Sequence, residues 1–207
     1  MIKKRSVLWI EKKSAIGHIY RFNMMLDKAK CAYQGQIANV RSLSAKIHLQ
    51  TNMCESFCFF DSEEFDELYD ETLRQAKNFR YYRNIGKLYY SKAIVLITKH
   101  KYEMAYSFIG KSININKENG YESGELFALI AKAYCNYAKL GGISHTTLSR
   151  IEELLDKNQV YRFFRLPLSI MQGNNKMLEQ LRTEFEWVDF EYTAACYKRF
   201  INSLRSL

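Results

Sequence analysis

The sequence predicts an all-α fold, an array of helical hairpins closed by a C-terminal group of helices. Three observations carry that prediction. The chain holds 1 Pro and 9 Gly in 207 residues, too few breakers for the many turns of a β-fold. Apolar residues recur at three- and four-residue spacings over most of its length. The breaks between these segments are short, two to six residues, as antiparallel helix neighbours require.

Each segment has its own reasons. From 35 to 58, Ile37, Val40, Leu43, Ile47 and Cys54 follow helical spacing. "DSEEFDELYDETLRQAKN" reads as a complete helix: Asp61 caps it, and Glu64 stands three residues on in a capping-box arrangement. Seven acids between Asp61 and Glu71 sit at the positive end of its dipole, and Arg74 and Lys77 near the negative end. Its inward stripe is Phe65, Leu68, Tyr69, Thr72 and Ala76. "YRNIGKLYYSKAIVLITKH" and "YEMAYSFIGKSININ" form the next two helices, with a break at His100–Lys101. "GELFALIAKAYCNYAKL" follows the break "KENGYES" and ends at Gly141, which suits the left-handed position after a helix. A further helix runs from about Thr146 to Asp156. Pro167, the one proline, opens the short helix "PLSIMQ", since a ring without an N–H is harmless in a first turn. The final segment from Lys176 breaks near Trp187–Asp189.

Within "AIVLITKHKYEMAYSFIGKSI", Ala93, Leu96, Tyr102, Ala105, Ile109 and Ser112 fall at the small and large positions of a tetratricopeptide-like repeat. Thirty-seven residues earlier the pattern recurs, with Phe65 standing for Tyr102 and Leu68 for Ala105. The predicted organisation is therefore a basic helical segment at 1–34, tetratricopeptide-like repeats at 35–157, and capping and dimerisation helices at 158–207. Trp187, Phe190, Tyr192, Tyr197 and Phe200 give the last region more aromatic surface than one capping layer needs, which suggests a dimer interface.

Composition narrows function. No apolar run approaches the roughly 18 residues of a membrane span, and "SVLWI" is too short for a signal peptide. Five cysteines without pairing motifs fit a reducing compartment, so a cytoplasmic location is expected. The net charge is +9, and residues 1–34 hold eight Lys/Arg against two acids. Such an excess permits binding to nucleic acid, an acidic protein or a membrane surface, and it equally fits a solvated basic face.

Motifs for chemistry are missing. There is no P-loop, dinucleotide fingerprint or HExxH, and His18, His48, His100 and His145 stand apart. Cys54 and Cys58 lie one turn apart with His48 nearby, but a closed zinc site wants four ligands. Buried thiols are the expected reading. No enzyme, cofactor or metal is expected. Concave helical arrays bind extended peptides or partner helices along their inner helices. Asn39, Asn52, Arg83, Asn84 and Lys87 lie on such helices and are the candidate peptide-binding residues. Asn can bond both sides of a peptide group, and Arg can hold a carboxylate with two parallel bonds.

Three stretches resemble the AimR-type arbitrium receptors of Bacillus phages: "QTNMCESF…DSEEFDELYDETLRQAKN", "KYEMAYSFIGKSININKENGY" and "FFRLPLSIMQGNNKMLEQL". They are collinear across about residues 36–181, and Arg165-Leu166-Pro167-Leu168 is the sharpest piece. The resemblance implies a helical superhelix that binds a short secreted hexapeptide to favour lysogeny. It covers only the peptide-binding half, without the family's helix-turn-helix. Asn52 matches one family peptide-binding asparagine and Arg83 approximately matches an arginine. Ser56, Val95 and Val160 stand where the family has other residues. Arg165 and Pro167 are read as the cap motif.

The expected function is that of a non-enzymatic phage- or prophage-type regulatory protein. It would bind a short signal peptide or protein segment in its groove, as a homodimer or paired with a full-length receptor. Direct DNA binding and membrane association are not expected. The alternatives are an adaptor or anti-defence protein that grips an acidic host protein through its basic N-terminal hairpin (Lys3, Lys4, Arg5), or a weak nucleic-acid binder using the same hairpin.

Overall fold

Residues 15–59, 63–185 and 189–205 are described by a computed structural model, and among them no strand occurs. Lys3, Lys4, Arg5, Asp61 and Trp187 lie outside the described residues. The helices are α1 (15–22), α2 (Leu26–Ile37), α3 (Leu43–Phe57), α4 (Glu63–Asn78), α5 (Tyr82–Thr98), α6 (Tyr102–Glu118) and α7 (Glu122–Leu140). α8 (His145–Lys157), a 3-10 turn (Gln159–Phe164), α9 (Arg165–Gln172), α10 (Asn175–Glu184) and α11 (Phe190–Ser203) complete the chain.

From α2 to α8 each helix packs on the next, α3 and α7 also pack on α5, and α10 and α11 both pack on α9. This makes two layers, with α3, α5 and α7 inside and α4, α6 and α8 outside. The inner helices are buried almost all round, whereas α6 buries only Ala105, Ile109, Ser112 and Asn116. An outer helix thus presents one narrow stripe, and the core lies between the layers. The fold is the expected all-α array of helical hairpins.

The repeat length differs from the 37 residues suggested by matching Phe65 to Tyr102. The buried stripe of α4 is Phe65, Tyr69, Thr72 and Ala76. Each lies forty residues before its counterpart in α6, Ala105, Ile109, Ser112 and Asn116. Phe65 therefore stands for Ala105, and Tyr102 lies half-exposed at the start of its helix. The cause is the linker. α5 and α6 are 17 residues long, and each is followed by a three-residue link whose middle residue is left-handed. In each link the third N–H reaches back to the helix: Tyr81 to Ala76 O at 2.9 Å, Lys101 to Leu96 O at 2.8 Å and Tyr121 to Asn116 O at 2.8 Å. This Schellman-type closure satisfies carbonyls that the helix end leaves free.

A close approach locks the central hairpins. Ser112 Oγ donates to Gly86 O at 2.7 Å, and Asn116 Nδ2 donates to Ser112 O at 2.7 Å. A Cβ at Gly86 would fall 2.6 Å from Asn116 Nδ2, and one at Gly124 would also collide with the Asn116 amide. Glycine on both inner helices lets α5 and α7 close against α6, with Cα–H groups facing the amide.

The C-terminal helices fold back over the inner layer. Phe200 meets Phe59 and Tyr134 edge-on, Phe164 meets Phe22 and Phe127, and Tyr102 Oη donates to Leu204 O at 3.2 Å. Phe190, Tyr197 and Phe200 are buried in this packing, and Tyr192 stays exposed. The aromatic surplus that suggested a dimer interface is thus largely buried within the chain. Pro167 is the third residue of α9, two residues later than expected relative to the helix start, because α9 continues from the 3-10 turn. It remains in the first turn, where the missing N–H has no intrahelical partner to lose. Arg165 holds α9 to α8 through Glu152 Oε2 at 2.8 Å and Asp156 Oδ1 at 2.7 Å. Among the described residues no helix is long and apolar enough to cross a membrane.

Candidate functional site

The inner layer should be apolar, yet its centre is charged. Glu55 on α3 is wholly buried, and two cations share it. Arg21 on α1 approaches Oε1 at 3.3 Å, and Lys87 Nζ on α5 donates to Oε2 at 3.0 Å. Lys87 Nζ also lies 3.4 Å from Asn52 Oδ1. Around them His18 Nδ1 meets Tyr33 Oη at 3.1 Å, and Asn84 Nδ2 donates to Thr51 Oγ1 at 3.0 Å.

Local sequence explains the placement. Asn52 and Glu55 are three residues apart on one face of α3, and Asn84 and Lys87 are three apart on α5, so the two faces meet as paired rows. Gly17 brings α1 against the Tyr33 ring, so close that a Cβ there would collide with it. That approach carries His18 and Arg21 inward.

The electrostatics are consistent with one anion held by two cations. Burial would raise the Glu55 carboxyl, but Arg21 and Lys87 overcome it and hold the group down at about 2. Burial lowers Lys87, and Glu55 opposes this. Burial, followed by the nearby cations, lowers His18 to about 3 and His48 to about 4, so both rings are neutral at pH 7. With Lys87 protonated, the cluster carries one more positive than negative charge. Arg21 Nε and Asn52 Nδ2 are buried donors without a hydrogen-bond acceptor among the described residues. Glu55 Oε1, though 3.3 Å from Arg21, is a buried acceptor without a hydrogen-bond donor, so the centre leaves two donors and one acceptor open around its surplus positive charge, an arrangement that suits a carboxylate or another small anion with a neighbouring N–H.

The expected peptide-binding residues distribute as follows. Asn52 and Lys87 are brought together inside the cluster. Asn84 is half-buried at its edge, and Arg83 is exposed beside it, close enough to His48 and Lys87 to oppose their protonation. Asn39 stands apart, exposed after α2 with its amide on Gly35 O at 2.8 Å. Arg21, Glu55, His18 and Tyr33 were not anticipated. Their available signal was Glu55, the one acid in the sequence of α3. A lone acid inside a helix buried all round must have a cationic partner.

Cys54 and Cys58 are buried, and Cys58 Sγ donates to Glu55 O at 3.2 Å. Among the described residues no three His, Cys, Asp or Glu side chains converge as metal ligands. No known protein family matches the chain, and no curated protein or solved structure matches it.

Proposed function

We propose that this chain is a non-enzymatic regulatory protein that binds a short peptide or protein segment at the inner face of its helical array. Such a protein resembles the peptide-binding half of the arbitrium receptors. The observation that carries the reading is the buried positive imbalance of Arg21, Lys87 and Glu55, with donors on Arg21 and Asn52 left free. A peptide's terminal carboxylate has the charge and the two acceptors to meet them. Arg83 is exposed and Asn84 half-buried beside this centre, and the peptide's end would enter past them.

Calorimetry with synthetic hexapeptides tests this reading. Heat is expected from peptides with a free C-terminal carboxylate, lost on amidation and reduced at least tenfold in affinity by Asn52→Ala or Arg83→Ala, as a charged hydrogen bond of about 1.5–3 kcal/mol implies. Absence of heat from every peptide, or binding indifferent to amidation and to both variants, refutes it.

A further inference from the structure

Three links in this array share one backbone form, with Arg80, His100 and Gly120 at their left-handed middle positions. Glycine occupies that conformation without strain, whereas other side chains pay about 1–2 kcal/mol in steric crowding. His100 has a compensating contact, since its Nδ1 meets Tyr102 Oη at 2.8 Å. Arg80 has none. Its side chain is exposed and makes no hydrogen bond or ion pair with any described residue. A strained residue with no internal contact points to an external one.

The surroundings specify what that contact is. Phe79 is 50% exposed and Tyr82 40% exposed. Phe79 stacks on Tyr81 with ring centroids 6.0 Å apart and planes 21° apart, which leaves the outer face of Phe79 open. Lys77, Arg80 and Arg83 are exposed around these rings, and none forms an ion pair with a described residue. Lys77 Nζ lies 6.0 Å from the Tyr89 ring centroid. The link thus presents open aromatic faces edged by three cations.

We infer that the α4–α5 link, residues 77–83, is a contact surface for single-stranded nucleic acid. Bases stack on open aromatic faces without needing a pocket, and phosphates take the flanking guanidinium and ammonium groups. A duplex keeps its bases stacked and offers Phe79 nothing. An acidic peptide would anchor its side chains in a cavity, and neither the cleft of about 700 Å³ nor that of about 290 Å³ takes in a residue of this link. The inference is independent of the peptide reading and uses different residues, apart from Arg83 at the rim.

Fluorescence anisotropy with a labelled dT20 strand and the full chain tests it. Binding is expected at 50 mM salt. Three phosphate contacts give a log–log salt slope of about −2, at about 0.7 per contact. Arg80→Gly keeps the backbone conformation, so its thermal midpoint should equal or exceed the parent's. It should bind at least threefold more weakly, with a shallower salt slope. Phe79→Ala should weaken binding about fivefold or more without changing the slope, as loss of a stacking platform does. No binding at 50 mM salt, or affinities unchanged in Arg80→Gly and Phe79→Ala, overturns the inference. Equal competition by polyglutamate also overturns it, since the surface would then recognise acidic chains and not nucleic acid.

Discussion

Glu55→Gln is the sharpest perturbation of the charged centre. It leaves Arg21 and Lys87 facing each other in the inner layer with no anion between them. Breaking a buried ion pair from one side costs about 3–5 kcal/mol, against a total stability of about 5–15 kcal/mol for a domain. The two cations respond differently. Arg21 cannot release its proton, so its share of the loss is fixed. Burial already lowers Lys87, and Glu55 is what opposes this. Without Glu55 the amine falls further. A group with a depressed folded pKa contributes stability above its unfolded pKa, near 10.4, and loses it as pH falls. The variant should therefore be hurt most at pH 7 and recover partly by pH 9.5. Urea denaturation followed by circular dichroism at both pH values reads this directly. Adding Lys87→Met to Glu55→Gln should return part of the loss at pH 7, because one buried charge is removed. A cost below about 1 kcal/mol, or a cost equal at the two pH values, would show that Glu55 is not the shared anion inferred from these distances.

Three further outcomes follow from the same geometry. His18 and His48 are held neutral, at about 3 and about 4, so stability is complete above their unfolded value near 6.5 and falls as pH drops below it. Unfolding free energies from urea titrations at pH 7.5, 6 and 5 should decline with a slope approaching about 2.7 kcal/mol per pH unit, and His48→Gln should roughly halve that slope. Gly124→Ala should destabilise by about 1–3 kcal/mol through overpacking on Asn116, and Asn116→Ala in the same chain should recover part of it, measured by thermal melts. In native alkylation followed by mass spectrometry, exposed Cys31 should label first. Cys54, Cys58 and Cys135 should remain protected until denaturant is added, because burial raises all three thiols, Cys135 to about 11.

The array was legible because helical period and turn residues are local signals. Gly141 was read as a helix stop and has φ of 78°. The repeat register was harder. Tyr102 opens α6 and Phe65 lies inside the stripe of α4, yet both are aromatics near a helix start. Residue type alone aligns them at 37 residues. The structural spacing of forty is set by the left-handed links, and two of these carry Arg80 and His100 where a sequence reader looks for glycine.

The charged centre was half legible for a different reason. The sequence marks Asn52 and Lys87 as separate groove-lining side chains, because each lies on a first helix of a hairpin. Periodicity reports which face of a helix turns inward, but not what that face meets. Here the face of α3 meets α1 and α5, and the C-terminal helices lie over the same layer through Phe164 and Phe200. Arg21 could not be assigned to Glu55 from sequence, since 34 residues separate them and only the close approach at Gly17 brings them together. The consequence for function is specific. A peptide bound at this centre would compete with Glu55 for Arg21 and Lys87, so binding of a carboxylate and protonation of Glu55 are linked. Arg21 and Lys87 hold Glu55 ionised at neutral pH, so the ligand must displace an anion already in place. Glu55→Gln should then bind a free-carboxylate hexapeptide more tightly than the parent, while being less stable without it. Weaker binding in a variant that still folds would mean that the centre holds the helices together and takes no ligand.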